Sequence, residues 1–360
     1  MGKDSISRVI EQGILQGIFP GAVLLCAVNQ KIVFHESYGM ADIFKKRKMR
    51  PDSIFDLASL TKPLATTLAL SKLIECEQIF LDQKIGSILK EFKTSAKADI
   101  TIDMLLRHTS GFPAHREYFK KIIKTARNPR QYLRQLLVQE PLENKIDAFQ
   151  VYSDLGFMIL SWIIEKISCQ RLDQFVSDQI YSPLKIDNLF FIDLDRKKEK
   201  LSQYQQKIVT TQNCPWRKKI LRGEVDDDNA WVVGGIDGHA GLFGDAISIY
   251  ELCCEILNAM QDKPTKVLAP DIIKTFMQKK NQHDMVAGFD TPSKKNSSSG
   301  HFFSSTSVGH LGFTGTSFWI DPETSMIAIF LTNRVHPSRF NEGLKKFRPQ
   351  IHDLIYSQLL

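Results

Sequence analysis

The sequence contains no run of about 18 apolar residues, the length a bilayer-spanning helix requires, so no membrane span is expected. The opening stretch, MGKDSISRVIEQGILQGIFPG, is charged and amphipathic. It lacks the uninterrupted apolar segment and small-residue cleavage site of a secretory signal. On that reading the chain is cytoplasmic, unless a leader was trimmed from a periplasmic or secreted protein. Cysteine is sparse: six in 360 residues, with no C-x-x-C pair and no His/Cys spacing suited to a metal. Cys253 and Cys254 are adjacent and poorly placed to bridge each other. Free or buried thiols in a reducing compartment are expected, with no cofactor. Charge of one sign is also scarce. The net charge is +7, and the basic runs KKRKMR (45–50), RKKEK (196–200) and RKK (217–219) are scattered. They read as solvated loops, and no nucleic-acid partner is expected. No internal repeat is present.

What the chain does have is 43% apolar residues, enough for a large core in two lobes. Helical patterning covers 4–17, 60–76, 101–107, 129–138, 155–168, 172–180 and 268–279, opens again near Ala246, and returns from about 342. AVLLCAV (22–28) and KIVFHESYG (31–39) read as strands around a turn at Asn29-Gln30. TSFWIDP (316–322) and MIAIFLTN (326–333) read as a second hairpin through Pro322-Glu323-Thr324-Ser325. Residues 196–235 are irregular and polar, and 290–307 is a Ser-rich surface loop. The expected class is α+β. An antiparallel sheet flanked by helices is carried by both chain ends (1–80 and 241–360), with a mainly helical lobe (81–240) inserted between them.

Three segments carry candidate chemistry. In DLASLTKPLAT (56–66), Pro63 suits a first helical turn, which puts Ser59 at a helix start and Lys62 on the same face. A hydroxyl, an amine and free amides together suffice for an activated nucleophile; the alternative is a plain N-cap serine. The same S-x-x-K spacing recurs at Ser87/Lys90 and Ser182/Lys185, but only Ser59 opens a strongly apolar helix. In YSDLGF (152–157), Tyr152 is a candidate general base whose pKa a nearby lysine would lower. The alternative is a core tyrosine with Asp154 capping the following helix. In GHLGFTGTSFWIDP (309–322), His310 and Gly312 stand immediately before the hairpin, where glycine permits a close approach. A second His-x-Gly, His239-Ala240-Gly241, reads as structural.

In this order the three segments resemble the serine β-lactamase and penicillin-binding protein superfamily, whose signature is S-x-x-K, S/Y-x-N and K/H-T/S-G. The tyrosine and the spacing are similar to class C β-lactamases and family VIII esterases, as are ITIDMLLRHTSG (100–111), GHAGLFG (238–244) and FLTNRVHP (330–337). The resemblance spans about residues 10–355. It implies an acyl-enzyme on Ser59, proton transfer shared by Lys62 and Tyr152, and an oxyanion held by the amides of Ser59 and Phe313. His310 would orient the substrate or protonate a leaving group. There are two departures from the pattern. Asp154 replaces asparagine, and His310-Leu311-Gly312 replaces the Lys-Thr-Gly that binds a substrate carboxylate. Both argue against efficient penicillin hydrolysis and leave an ester, an amide or a cell-wall-derived D-amino-acid peptide as the expected small-molecule or peptide substrate. The other reading is a non-catalytic binding or sensor protein on the same scaffold.

Overall fold

A computed structural model describes residues 2–125, 127–196, 204–280 and 283–360. Its strands in chain order are β1 (Gly21–Val28), β2 (Lys31–Asp42), β3 (Arg47–Lys48), β4 (Phe55–Asp56), β5 (Leu189–Phe191), β6 (Asn213–Cys214), β7 (Lys219–Ile220), β8 (Leu242–Gly244), β9 (Val308–Leu311), β10 (Thr316–Asp321) and β11 (Met326–Thr332). Six form one antiparallel sheet in the order β3-β2-β1-β11-β10-β9. The first and last long strands pair at its centre, Val23 opposite Leu331 and Leu25 opposite Ile329. Asn29 and Gln30 both take positive φ, the backbone that a tight hairpin with native twist needs.

Both central strands are apolar on both faces because both faces are covered. Val23, Leu25 and Ala27 enter one core with Ile327, Ile329 and Leu331, beneath the Leu68–Glu75 and Ala246–Met260 helices. Ala22, Leu24 and Cys26 point the other way, into a second core closed by the Gly2–Leu15 and Leu344–Leu359 helices. The period-2 alternation thus splits one apolar run between two layers. A three-stranded sheet, β4-β8-β5, joins residues near Ser59 to the middle of the chain, where helices predominate.

The class is α+β, and most expected elements form within a few residues of their predicted ends. Several short pieces depart from expectation. The predicted 60–76 helix is a π-helix over Lys62–Thr67 that continues as α-helix only from Leu68. The stretch 308–311, read only as a lead-in to the hairpin, is itself edge strand β9. The Phe119–Thr125 helix and strands β3 to β8 carry no period long enough to register in sequence. Of the basic runs, 45–50 and 218–219 are largely exposed as expected. Arg217 is not: its side chain is 1% exposed, bound to Asp228, and lies over Trp216 and Trp231. The run 196–200 lies outside the described residues after Arg196. The cysteines are free thiols. Among the described residues no helix is long and apolar enough to cross a membrane.

Candidate active site

The chain turns sharply into Ser59. Ala58 takes φ +47°, a left-handed conformation unusual for a residue with a Cβ, and its amide donates to Asp56 Oδ1 at 2.9 Å. Asp56 is buried, and that burial, beside Asp226, pushes its carboxyl up to about 7. Thr314 of the β9–β10 turn and Thr316 at the start of β10 lock the turn against this segment: Thr314 donates to Asp56 O at 2.7 Å and Thr316 to Leu57 O at 3.1 Å. Gly312 lies so close that an added Cβ would stand 2.6 Å from Leu57 O. The close approach expected at this glycine is therefore made by another stretch of backbone. These contacts bring Gly312 and Phe313, more than 250 positions away in sequence, beside Ser59.

Lys62 is fully buried. Its Nζ donates to Asp154 Oδ1 at 2.7 Å, to Ser59 Oγ at 3.1 Å and to His239 O at 3.2 Å. Three acceptors match the three protons of an ammonium. Burial disfavours the charge, but Asp154 and Tyr152 outweigh it and raise the pKa. The Asp154 carboxyl is pushed up by burial, yet Lys62, His115 and His239 together hold it well below the usual carboxylate range. Its Oδ2 meets His115 Nδ1 at 3.0 Å, and His115, half exposed on the cleft wall, is raised by that bond. Asp154 does not cap its helix. Ser153 does, its Oγ accepting from the Gly156 amide, which frees the Asp154 carboxylate for Lys62.

The Tyr152 ring lies 4.8 Å from Lys62 Nζ and is flanked by His108 (4.7 Å) and His310 (5.9 Å). Its phenol faces Lys62 and Ser59, and both act to lower its pKa. The lysine acts in the expected direction, but burial is stronger and the net shift is upward. His310 Nδ1 lies 2.9 Å from Leu311 O; a carbonyl only accepts, so Nδ1 carries the proton and Nε2 is a bare acceptor. Burial and the Lys62 charge push this imidazole down to about 3. In that state Nε2 has no proton to give and can accept one hydrogen bond.

His239 meets its structural reading with an added contribution. Its Nε2 stands 2.9 Å from Asp227 Oδ1, and its carbonyl is one of the three acceptors on Lys62. Burial alone would lower its pKa, but Asp227 and Asp237 raise it to about 10. A raised histidine stabilises the fold fully below its unfolded pKa, about 6.5, and loses that contribution as pH climbs through 10. Thermal unfolding midpoints should therefore separate wild type from Asp227→Asn most at pH 6–7, with the gap closing by pH 10.5.

Ser59, Tyr152, Asp154, His310, Gly312 and Phe313 all line one cleft of about 690 Å³, with Lys62 directly beneath. The other two S-x-x-K serines, Ser87 and Ser182, are exposed elsewhere. The sequence reading missed His115, Asp226 and Asp227 in this cleft, and three arginines, Arg334, Arg339 and Arg348. The acidic triplet 226–228 was the one visible signal, and it sits in a stretch with no periodicity.

Residues 6–351 match the family model described as Beta-lactamase. A protein of Escherichia coli O157:H7, provisionally named a D-alanyl-D-alanine carboxypeptidase, is 29% identical over 92% of this chain and 82% of its own length. The N-acetylmuramyl-L-alanine amidase of Bacillus subtilis strain 168 is 28% identical over 92% of this chain and 80% of its own. Among solved structures, that of EstCE1, a hydrolase with promiscuous acyltransferase activity, superposes with a TM-score of 0.77 at 20% identity. It covers 99% of this chain and 98% of that one, a likeness of fold.

Proposed function

The chain belongs to the beta-lactamase family and is a serine hydrolase, and from that premise we propose that it works through an ester formed on Ser59. The observation that carries this is Lys62 Nζ at 3.1 Å from Ser59 Oγ, with Tyr152 facing both, at the floor of an open cleft. Lys62 already donates three hydrogen bonds and is held charged by Asp154, so it is poorly suited to take a proton. The base is the Tyr152 oxygen: burial keeps this phenol mostly protonated, and the fixed charge of Lys62 offsets part of that cost for the minor phenolate form that acts. As Ser59 Oγ attacks the acyl carbon, its proton passes to the Tyr152 oxygen, and the oxyanion is received by the amides of Ser59 and Phe313. Tyr152 then returns the proton to the departing alcohol or amine. Water attacks the ester by the same route and frees the acid. Asp154 keeps Lys62 charged, and His310 accepts a hydrogen bond from the substrate.

The substrate class is an ester, an amide or a cell-wall-derived peptide, with weak or no penicillin hydrolysis. The names of the two relatives, a D-Ala-D-Ala carboxypeptidase and a muramyl amidase, favour the amide of a cell-wall peptide. The test is incubation with p-nitrophenyl butyrate and with a fluorescent penicillin, followed by mass spectrometry of the Ser59 peptide. Ester turnover with a transient butyryl adduct on Ser59, and at most slow loss of penicillin, is expected. A stable adduct without turnover would mark a sensor. No reaction with either acyl donor removes the proposal.

A further inference from the structure

One residue beneath the nucleophile turn ties three distant segments together. Asp56 Oδ1 accepts from the Ala58 amide at 2.9 Å, its Oδ2 from the Asp226 amide at 2.6 Å, and its carbonyl from the Thr314 hydroxyl at 2.7 Å. The first bond holds the left-handed Ala58, and with it the amide of Ser59. The last holds the turn that carries the amide of Phe313. Both donors of the proposed oxyanion hole therefore hang on Asp56. Three carboxylates are buried here, those of Asp56, Asp226 and Asp228. Arg339 meets Asp226 at 3.1 Å and Asp228 at 3.3 Å, and Arg217 meets Asp228 at 2.6 Å. Among the described residues no cation pairs with Asp56. Asp227, beside them, has its own partner in His239. Arg334 is within electrostatic reach of Asp226, but it donates to the carbonyls of Phe313, Arg339 and Asn341 and also faces Glu342. Asp226 Oδ1 is buried without a donor.

Two guanidiniums in contact with a group of three buried carboxylates leave one negative charge unbalanced, and a proton supplies the missing positive charge. Asp56 is the member that touches neither guanidinium. Burial and the neighbouring Asp226 push its carboxyl up to about 7, in agreement with that count. Burial raises Asp226 as well, so the two titrate as a pair. A neutral Asp56 still accepts from both amides. An ionised one sets an unbalanced buried charge against the strained turn that leads into Ser59, where it opposes the negative charge the hole must receive. We propose that Asp56 is the positioning residue of the oxyanion hole and serves it as a neutral acid, because the two guanidiniums cannot balance three buried carboxylates. This rests on the serine hydrolase reading and names the group that limits its activity at high pH.

The pH profile of kcat/KM for p-nitrophenyl butyrate tests it, with acid release followed at fixed pH values from 5.5 to 9 and spontaneous hydrolysis subtracted. The Tyr152 phenolate grows about tenfold per pH unit, so wild-type kcat/KM should climb at low pH. It should level off near pH 7, where loss of the proton from the Asp56–Asp226 pair cancels the gain. In Asp56→Asn, which cannot ionise, the climb should continue. Its kcat/KM relative to wild type should then be roughly tenfold to a hundredfold higher at pH 9 than at pH 6. Asp226→Asn leaves two carboxylates for two guanidiniums and should move the bend down by about one pH unit or more. His115→Gln, which removes the other titrating group of the cleft wall, should leave the bend in place. Each profile is read by its shape, which does not depend on how much of a variant folds. A wild-type profile without a bend, a bend retained in Asp56→Asn, one unmoved in Asp226→Asn or one abolished in His115→Gln overturns the inference and leaves the hydrolase intact. No turnover by wild type at any pH overturns the hydrolase reading and the inference with it.

Discussion

Ser59→Ala should lower kcat for ester hydrolysis on the order of 10⁴-fold or more, as removal of a covalent nucleophile does elsewhere. The fold should scarcely notice. Lys62 keeps Asp154 and His239 as acceptors, and the serine hydroxyl is only half buried, so stability should change by less than about 1 kcal/mol. Paired measurements of turnover and of guanidinium unfolding check both halves. A variant that retains its rate would place the nucleophile elsewhere; one that unfolds would make the loss uninformative. Ser59 is distinguished from the two other S-x-x-K serines by its surroundings, a left-handed residue before it, a buried ammonium below it and a cleft above.

The largest effect on stability should come from Asp154→Ala. Lys62 is wholly buried, and deletion of its counter-ion leaves a charge with no compensation, a loss of about 3–5 kcal/mol. The pH dependence follows from the two shifts. The depressed Asp154 contributes stability above about pH 3.9, lost only as pH falls through its lowered value; the raised Lys62 contributes below about pH 10.4, lost only above its elevated value. Between those limits the wild-type pair is insensitive to pH. In the variant only Tyr152 is left to oppose burial, so the pKa of Lys62 falls and the folded state shifts toward the neutral amine. The deficit should then be greatest at pH 5 and shrink toward pH 9, as read from urea midpoints at three pH values. Asp154→Asn, which keeps an acceptor for Nζ, should lose less.

The three segments that build the site were legible because each sits against an apolar run that betrays a helix or strand start. Ser59 and Tyr152 each precede a helix with a long buried face, and His310 precedes a hairpin of continuous β-formers. What escaped was set by distant contacts. The π-helix over Lys62–Thr67 is held from outside, with Tyr181 donating to Leu64 O at 2.9 Å and Thr66 donating to Gly238 O at 2.7 Å. Neither partner is near in sequence. The upward shift of Tyr152 depends on how deeply it is buried, which spacing does not reveal. Arg348 sits among lysines on a polar-looking helix, and nothing local separates a buried arginine from a solvated one.

The pairing of β1 with β11 joins residues some 300 positions apart, and β9 and β10 arrive by that route. A chain emerging from the ribosome therefore exposes its serine and lysine long before it owns the strands that carry Gly312, Phe313 and His310. On the proposed mechanism a chain still lacking this far wall is inactive, and a protease that clips the β10–β11 hairpin should switch the enzyme off.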